Sequence, residues 1–181
     1  MSRTGSGVTR SGEDATLLAR YDALGPVGVE ELRGWWRGRE LSTEHPLSGI
    51  LEPLGWWGKW FGGPDDAHPL VFRRRDGGCQ ELDPVRIPLS LMIPCAPLLR
   101  ARVAVAGFHA VAPMLGTTRP RGRLRVSTFR GVSTATLVYD HQPILDAFRR
   151  VGPDVVMGAM DLRGMATPYL FELTRNPEGC R

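Results

Sequence analysis

Apolar positions along the chain recur mostly at strand spacing, and helical spacing is convincing in only a few places. From Glu13 to Leu24, the side chains Ala15, Leu17, Leu18, Tyr21 and Leu24 fall on one helical face. Acids open that segment and Gly25-Pro26 stops it, so a helix is predicted. Pro46 to Leu54 places Leu47, Ile50, Leu51 and Leu54 on one face. Pro143 to Val151 does the same with Ile144, Leu145, Phe148 and Val151, and both read as short helices. A short turn at Val29 to Leu32 leads into a predicted strand at Gly34 to Leu41. Further strands are predicted at Trp57 to Phe61, Leu70 to Arg74, Leu124 to Phe129, Val132 to Tyr139, Val155 to Asp161 and Tyr169 to Thr174, all rich in β-branched and aromatic residues. Gly62 to Asp66 and Arg130-Gly131 read as turns between strand neighbours. The middle, Val85 to Leu115, is apolar but broken by Pro88, Pro94, Pro97 and Pro113, which forbid one long helix. Within it Leu99 to Ala106 reads as a core strand with flanking loops, in preference to a wall or lid over a cavity. Many short strands with few helices indicate a mainly β fold, a barrel or sandwich. A parallel α/β fold is disfavoured because regular strand–helix alternation is missing.

Composition narrows this further. The chain has 181 residues, 42% of them apolar, enough for one domain over residues 13–181 without a metal or disulfide staple. Met1 to Gly12 is Gly, Ser, Thr and Arg with little to bury and is expected to be a disordered leader. Neither a long uncharged apolar run nor an apolar N-terminal segment is present, so no membrane span, secretory signal or membrane partner is expected. Cys79, Cys95 and Cys180 are odd in number and widely spaced, which argues against a disulfide framework and for a cytoplasmic protein. The net charge is +4, but the basic residues are 22 Arg and one Lys, spread evenly. The two clusters, Arg73-Arg74-Arg75 and Arg119, Arg121, Arg123, Arg125, contain no aromatic residues, so they read as solvated faces and no nucleic-acid partner is expected.

Gly34-Trp35-Trp36-Arg37-Gly38 fits the pattern G-x-W-x-G. It is followed by Glu40, Thr43-Glu44-His45-Pro46-Leu47, Gly49, Leu51 and Gly55-Trp56-Trp57-Gly58-Lys59-Trp60-Phe61. These residues resemble the GXWXG domain, a family of unknown function. The second half, with Arg130 to Asp140, Gln142 to Arg149 and Met157 to Asp161, resembles the DUF4334 domain that usually follows it. The resemblance covers about residues 32–72 and 123–175. A G-x-W on an early strand is also similar to the lipocalin signature. This implies a calycin-like antiparallel β-barrel with an N-terminal helix and one or two short helices. Barrels of about eight strands hold one small ligand.

Five tryptophans lie between Trp35 and Trp60. Trp36, at the motif position, is the expected barrel plug. Trp57 and Trp60 suit either the core or the wall of an aromatic-ligand cavity. Candidate ligand contacts are therefore Trp36, Trp57, Trp60, Phe61 and Tyr139. Glu40, His45 and Lys59 are the candidate catalytic residues, because an acid, an imidazole and an amine in one motif suit proton transfer at a carbonyl or enol. Lys59 stands out as the one lysine among so many arginines, since an ammonium can lose its proton when desolvated whereas a guanidinium effectively cannot. An ion pair of Lys59 with Glu40 or Glu52 at the barrel mouth is the preferred explanation, and a Schiff base is an option for which the sequence offers no support. The four histidines lack metal-ligand spacing, and no phosphate- or dinucleotide-binding glycine pattern occurs, so neither metal nor cofactor is expected. The expected function is binding of a small apolar or aromatic metabolite, with cofactor-independent cyclisation or isomerisation in secondary metabolism. The alternative is a non-catalytic carrier or sensor of a lipophilic ligand. A homodimer is compatible with either.

Overall fold

In the computed structural model, which describes residues 7–87 and 93–180, ten strands form a single antiparallel sheet. They are β1 (Gly25–Pro26), β2 (Gly34–Glu40), β3 (Trp56–Gly63), β4 (Asp66–Arg73), β5 (Cys79–Glu81), β6 (Gly122–Phe129), β7 (Val132–Tyr139), β8 (Ile144–Gly152), β9 (Val155–Leu162) and β10 (Tyr169–Arg175). Eight of these pair in chain order from β2 through β4 and from β6 to β10. β10 then returns to β2, so the ring closes into an up-and-down barrel. β1 adds to β8 outside the ring and β5 adds to β4. The β4–β6 joint is the thinnest, with one registered pair, Ala67 and Gly122. Closure removes the unpaired edges that an open sheet would expose. The predicted Arg130-Gly131 turn joins β6 to β7 with both residues at positive φ, 47° and 79°, the twist that a two-residue hairpin needs.

The N-terminal helix, α1, runs Gly7–Ala23. It therefore takes in residues 7–12 of the expected leader; residues 1–6 lie outside the described residues. α1 packs on the outside of the barrel, where Tyr21 meets Met157, Ala159 and Leu170. The Tyr21 hydroxyl donates to the Ala147 carbonyl at 3.1 Å. Beneath it the buried Arg149 donates to the Leu24 and Phe129 carbonyls.

Three predicted elements are corrected. Residues 143–151 are strand β8, not a helix, because both faces are covered: Ile144 and Phe148 face the core, while Ala147 and Arg149 lie under α1. That double burial erases the polar–apolar alternation that marks a half-exposed strand. Residues 99–106 are not a strand. After one helical turn at Ala96–Leu99, helix α2 (Arg102–Val111) follows, in keeping with its alanines. Residues 46–54 form consecutive turns, closed by bonds such as Trp56 N–H to the Leu51 carbonyl, and not a regular helix. The cysteines also depart from expectation. Beyond β10 the chain turns at Asn176 beside Trp35 and carries Cys180 back to Cys79 on β5, where the two are bonded with Cα atoms 5.9 Å apart. Cys95 remains a free thiol. The pairing removes the ground on which cysteine count pointed to a reducing compartment. No helix among the described residues is long and apolar enough to cross a membrane.

Candidate functional site

The barrel encloses a cavity of about 400 Å³. Its wall is almost wholly apolar: Leu47, Ile50 and Leu54 come from the turn segment 46–55, Phe72 from β4, and Met160 and Phe171 from β9 and β10. Residues 84–87 and 93–115 cap it, with Ile87, Leu99, Phe108 and Leu115 on its lining. Gln142 ties this cap to the barrel by donating to the Pro84 carbonyl at 2.7 Å. Residues 99–106, read from sequence as a core strand, instead lie in the helical part of this cap.

One pole of the cavity is polar. Lys59 on β3 and Asp146 on β8 form an ion pair, Nζ to Oδ2 at 2.8 Å, with side chains only 3% and 1% exposed. Lys59 Nζ also donates to the Pro69 carbonyl at 3.1 Å and to the Tyr139 hydroxyl at 3.2 Å. The Tyr139 hydroxyl donates to Asp146 Oδ2 at 3.4 Å, closing a triangle. Burial, then the Asp146 charge, pushes the Tyr139 pKa well above its usual value, so the phenol stays a neutral donor. Asp146 Oδ1 and Trp56 Nε1 are buried with no hydrogen-bond partner among the described residues. The ammonium stands 5.1 Å from the ring centre of Phe171, 5.5 Å from that of Tyr139 and 5.9 Å from that of Trp56, within reach of cation–π attraction.

Local sequence explains why these groups meet. Trp56 and Lys59 are three residues apart, so strict alternation would place them on opposite faces. Paired bulges shift the register: β3 gains a residue between Trp56 and Gly58, and β4 gains one between His68 and Val71. The bulge on β4 contains Pro69, a residue with no ladder N–H to lose, whose carbonyl accepts from Lys59. Gly58, at φ 150°, allows β3 to approach β2 so closely that any Cβ there would overlap the Trp36 carbonyl. Gly38, the last glycine of G-x-W-x-G, leaves room for the Trp56 indole, and Gly158 does the same for Phe171. The motif glycine thus seats an aromatic wall of the cavity.

Of the residues proposed from sequence, Lys59 and Tyr139 are at this pole. Glu40 and His45 are not on the cavity wall. Glu40 accepts from the Tyr169 hydroxyl at 2.5 Å and from the N–H groups of Gly49 and Glu52 at 3.1 and 2.8 Å. His45 Nδ1 accepts from the Leu47 N–H at 3.2 Å, and burial lowers its pKa, so the ring is neutral. Both residues shape the 46–55 turns that carry cavity side chains. Lys59 pairs with neither Glu40 nor Glu52 but with Asp146, deep inside. Trp36, a candidate ligand contact, is not on the cavity wall either: it donates to the Leu32 carbonyl at 2.6 Å and lies under the Arg175 guanidinium at 4.4 Å. Trp57 turns away from the cavity, edge-on to Trp35 at 5.7 Å. Trp60 lies against Trp35 and His68 on an outer groove, and Phe61 packs in the core against Phe148. Sequence reasoning missed Trp56, Asp146 and Phe171. For Asp146 a signal existed: an acid inside the otherwise apolar run from Ile144 to Phe148.

The outer groove holds His68 between Asp66, at 3.1 Å, and Glu81. Burial pulls the His68 pKa down, but the Glu81 and Asp66 carboxylates more than offset this and the net effect is upward. Three of the four clustered arginines, Arg121, Arg123 and Arg125, are paired with Asp83, Asp140 and Asp65. Among the described residues, no group of three or more His, Cys, Asp and Glu is arranged to hold a metal ion.

The model of the family described as GXWXG protein matches residues 19–77. That of the domain of unknown function DUF4334 matches residues 120–175. Comparison with curated proteins finds no match. A solved structure, described as the crystal structure of a protein from Thermomonospora curvata, is similar with a TM-score of 0.66 and 33% identity, over 90% of this chain and 86% of that one. Two family patterns in order, and a related barrel aligned across nearly the whole length, place the chain in the GXWXG family with its following DUF4334 domain.

Proposed function

We propose that the protein binds a small, largely apolar metabolite carrying one oxygen function, seated at the pole made by Lys59, Tyr139 and Asp146. The observation that supports this is a buried ion pair facing an almost wholly apolar cavity of about 400 Å³, a volume within the range of small-molecule sites. An apolar ligand gains from burial along its length, and its oxygen accepts from the ammonium or the phenol. Hydrogen bonds to charged groups contribute about 1.5–3 kcal/mol, so such an oxygen is worth about 10–100-fold in affinity. Titration of 2-decanone, 1-decanol and decane against tryptophan fluorescence tests this. The oxygenated pair should bind about 10–100-fold tighter than decane; equal affinities would overturn the reading.

The same pole favours turnover over simple carriage. A buried acid–base set beside a ligand carbonyl suits proton transfer at the adjacent carbon, the step common to cofactor-independent isomerisations and cyclisations. In deuterated water, bound 2-decanone should exchange its α-hydrogens faster with wild-type protein than with Lys59→Met. Binding without exchange would leave a carrier.

A further inference from the structure

We propose that Lys59 captures apolar aldehydes and ketones covalently, as a protonated Schiff base whose counterion is Asp146. The inference rests on the cavity being a ligand site and adds the ligand's chemical class and the nucleophile. Three observations carry it. Lys59 Nζ is the one lysine amine of the chain, and it lies on the wall of the apolar cavity. The ion pair alone does not account for a lysine there, because a guanidinium pairs with carboxylates more firmly and the chain uses arginine at its other 22 basic positions. Finally, the surroundings suit an iminium as well as an ammonium: a carboxylate at 2.8 Å, and the rings of Phe171, Tyr139 and Trp56 within 6 Å of the cation.

The reaction exchanges one cation for another. Lys59 passes a proton to Asp146 Oδ2, and the freed amine lone pair attacks the carbonyl carbon, breaking the C=O π bond. Tyr139 protonates the resulting alkoxide and is reprotonated from the attached nitrogen, which leaves a neutral carbinolamine. Asp146 returns its proton to the carbinolamine hydroxyl. The C–O bond breaks, water leaves, and the nitrogen lone pair forms the C=N bond. Ammonium and carbonyl have become iminium and water, and Asp146 is again a carboxylate facing a positive charge. The buried charge balance is therefore the same before and after, which avoids the cost of stranding a carboxylate in an apolar site. Asp146 Oδ1, buried without a partner among the described residues, is placed to accept a proton from the carbon next to the iminium.

The test is reductive trapping of the full chain with decanal and cyanoborohydride, followed by intact-mass measurement and peptide mapping. Non-covalent binding of 1-decanol is measured alongside. The expected product is one adduct at Lys59, heavier by the mass of decanal less one oxygen atom. It should be lost in Lys59→Arg, which keeps the charge facing Asp146, and formed roughly tenfold or more slowly in Tyr139→Phe, which lacks the proton donor. Absence of the Lys59 adduct in protein that binds 1-decanol would overturn the Schiff base and leave the binding reading standing. So would labelling confined to the amino terminus, or a Lys59 rate no higher than in urea-unfolded protein. If 1-decanol does not bind, the cavity reading fails and the capture proposal falls with it.

Discussion

Replacing Lys59 by Met keeps most of the apolar stem and deletes the charge, so it isolates the cost of stranding Asp146. In the folded protein the Asp146 side chain is 1% exposed and receives its one short contact, at 2.8 Å, from Lys59. Among the described residues, the carboxylate without that partner retains only the 3.4 Å bond from Tyr139, while Oδ1 has no donor. Breaking a buried pair from one side costs about 3–5 kcal/mol, whereas an exposed pair is worth about 0–1 kcal/mol. For a chain of this size each kcal/mol moves Tm by about 2–4 °C, so Lys59→Met should melt roughly 6–20 °C lower. Urea unfolding followed by tryptophan fluorescence supplies the free energy directly, and an unchanged m-value would show that the folded state keeps its compactness. The double variant Lys59→Met/Asp146→Asn removes both charges and should recover more than half of the loss. A loss below about 1 kcal/mol, or no recovery in the double variant, would refute the reasoning. It would mean that water already solvates the pair and that the pole is not a low-dielectric site.

The cavity wall carries Trp56 and not Trp57. The fluorescence change on 1-decanol binding should therefore be lost in Trp56→Phe and kept in Trp57→Phe, and the reverse would misplace the cavity. Gly38→Ala should push the Trp56 ring into the cavity, lowering stability by about 1–3 kcal/mol in urea unfolding and weakening decanol binding; wild-type behaviour would deny the glycine its role. The two buried histidines should act oppositely with pH. Burial holds His45 below its ordinary pKa of 6.5, so the stability it brings is complete above 6.5 and is lost as pH falls through its folded value. For His68 burial is outweighed by Glu81 and Asp66, so its contribution is complete below 6.5 and lost as pH rises through its raised folded value. Melting curves across pH should thus flatten on the acid side in His45→Asn, which keeps an acceptor for the Leu47 N–H, and on the alkaline side in His68→Gln. Unchanged pH profiles would contradict both assignments.

Sequence by itself determined the class of this fold and much of its wiring. Strand-length runs of β-branched and aromatic residues are local facts, and so is a turn such as Arg130-Gly131, because backbone sterics act between neighbours along the chain. β6, β7, β9 and β10 were legible for that reason, and so was Lys59 as the odd amine among arginines. What only the tertiary structure decided is which side chains share a face where neighbours intervene. β8 was hidden because α1 covers its outer side and because its inward set, Ile144, Asp146 and Phe148, contains the acid of the site. The buried acid itself broke the pattern that would have exposed the strand. Trp56 and Lys59 face the cavity together only through paired register shifts, and a bulge is a property of two strands in contact. Residues 96–99 and 102–111 are helical and cap the apolar cavity, a placement that no short window of sequence contains. The partner of Lys59 lies 87 residues further along the chain and reaches it only because the barrel closes. Periodicity reports which residues prefer burial. It is closure of the ring that decides what they are buried against.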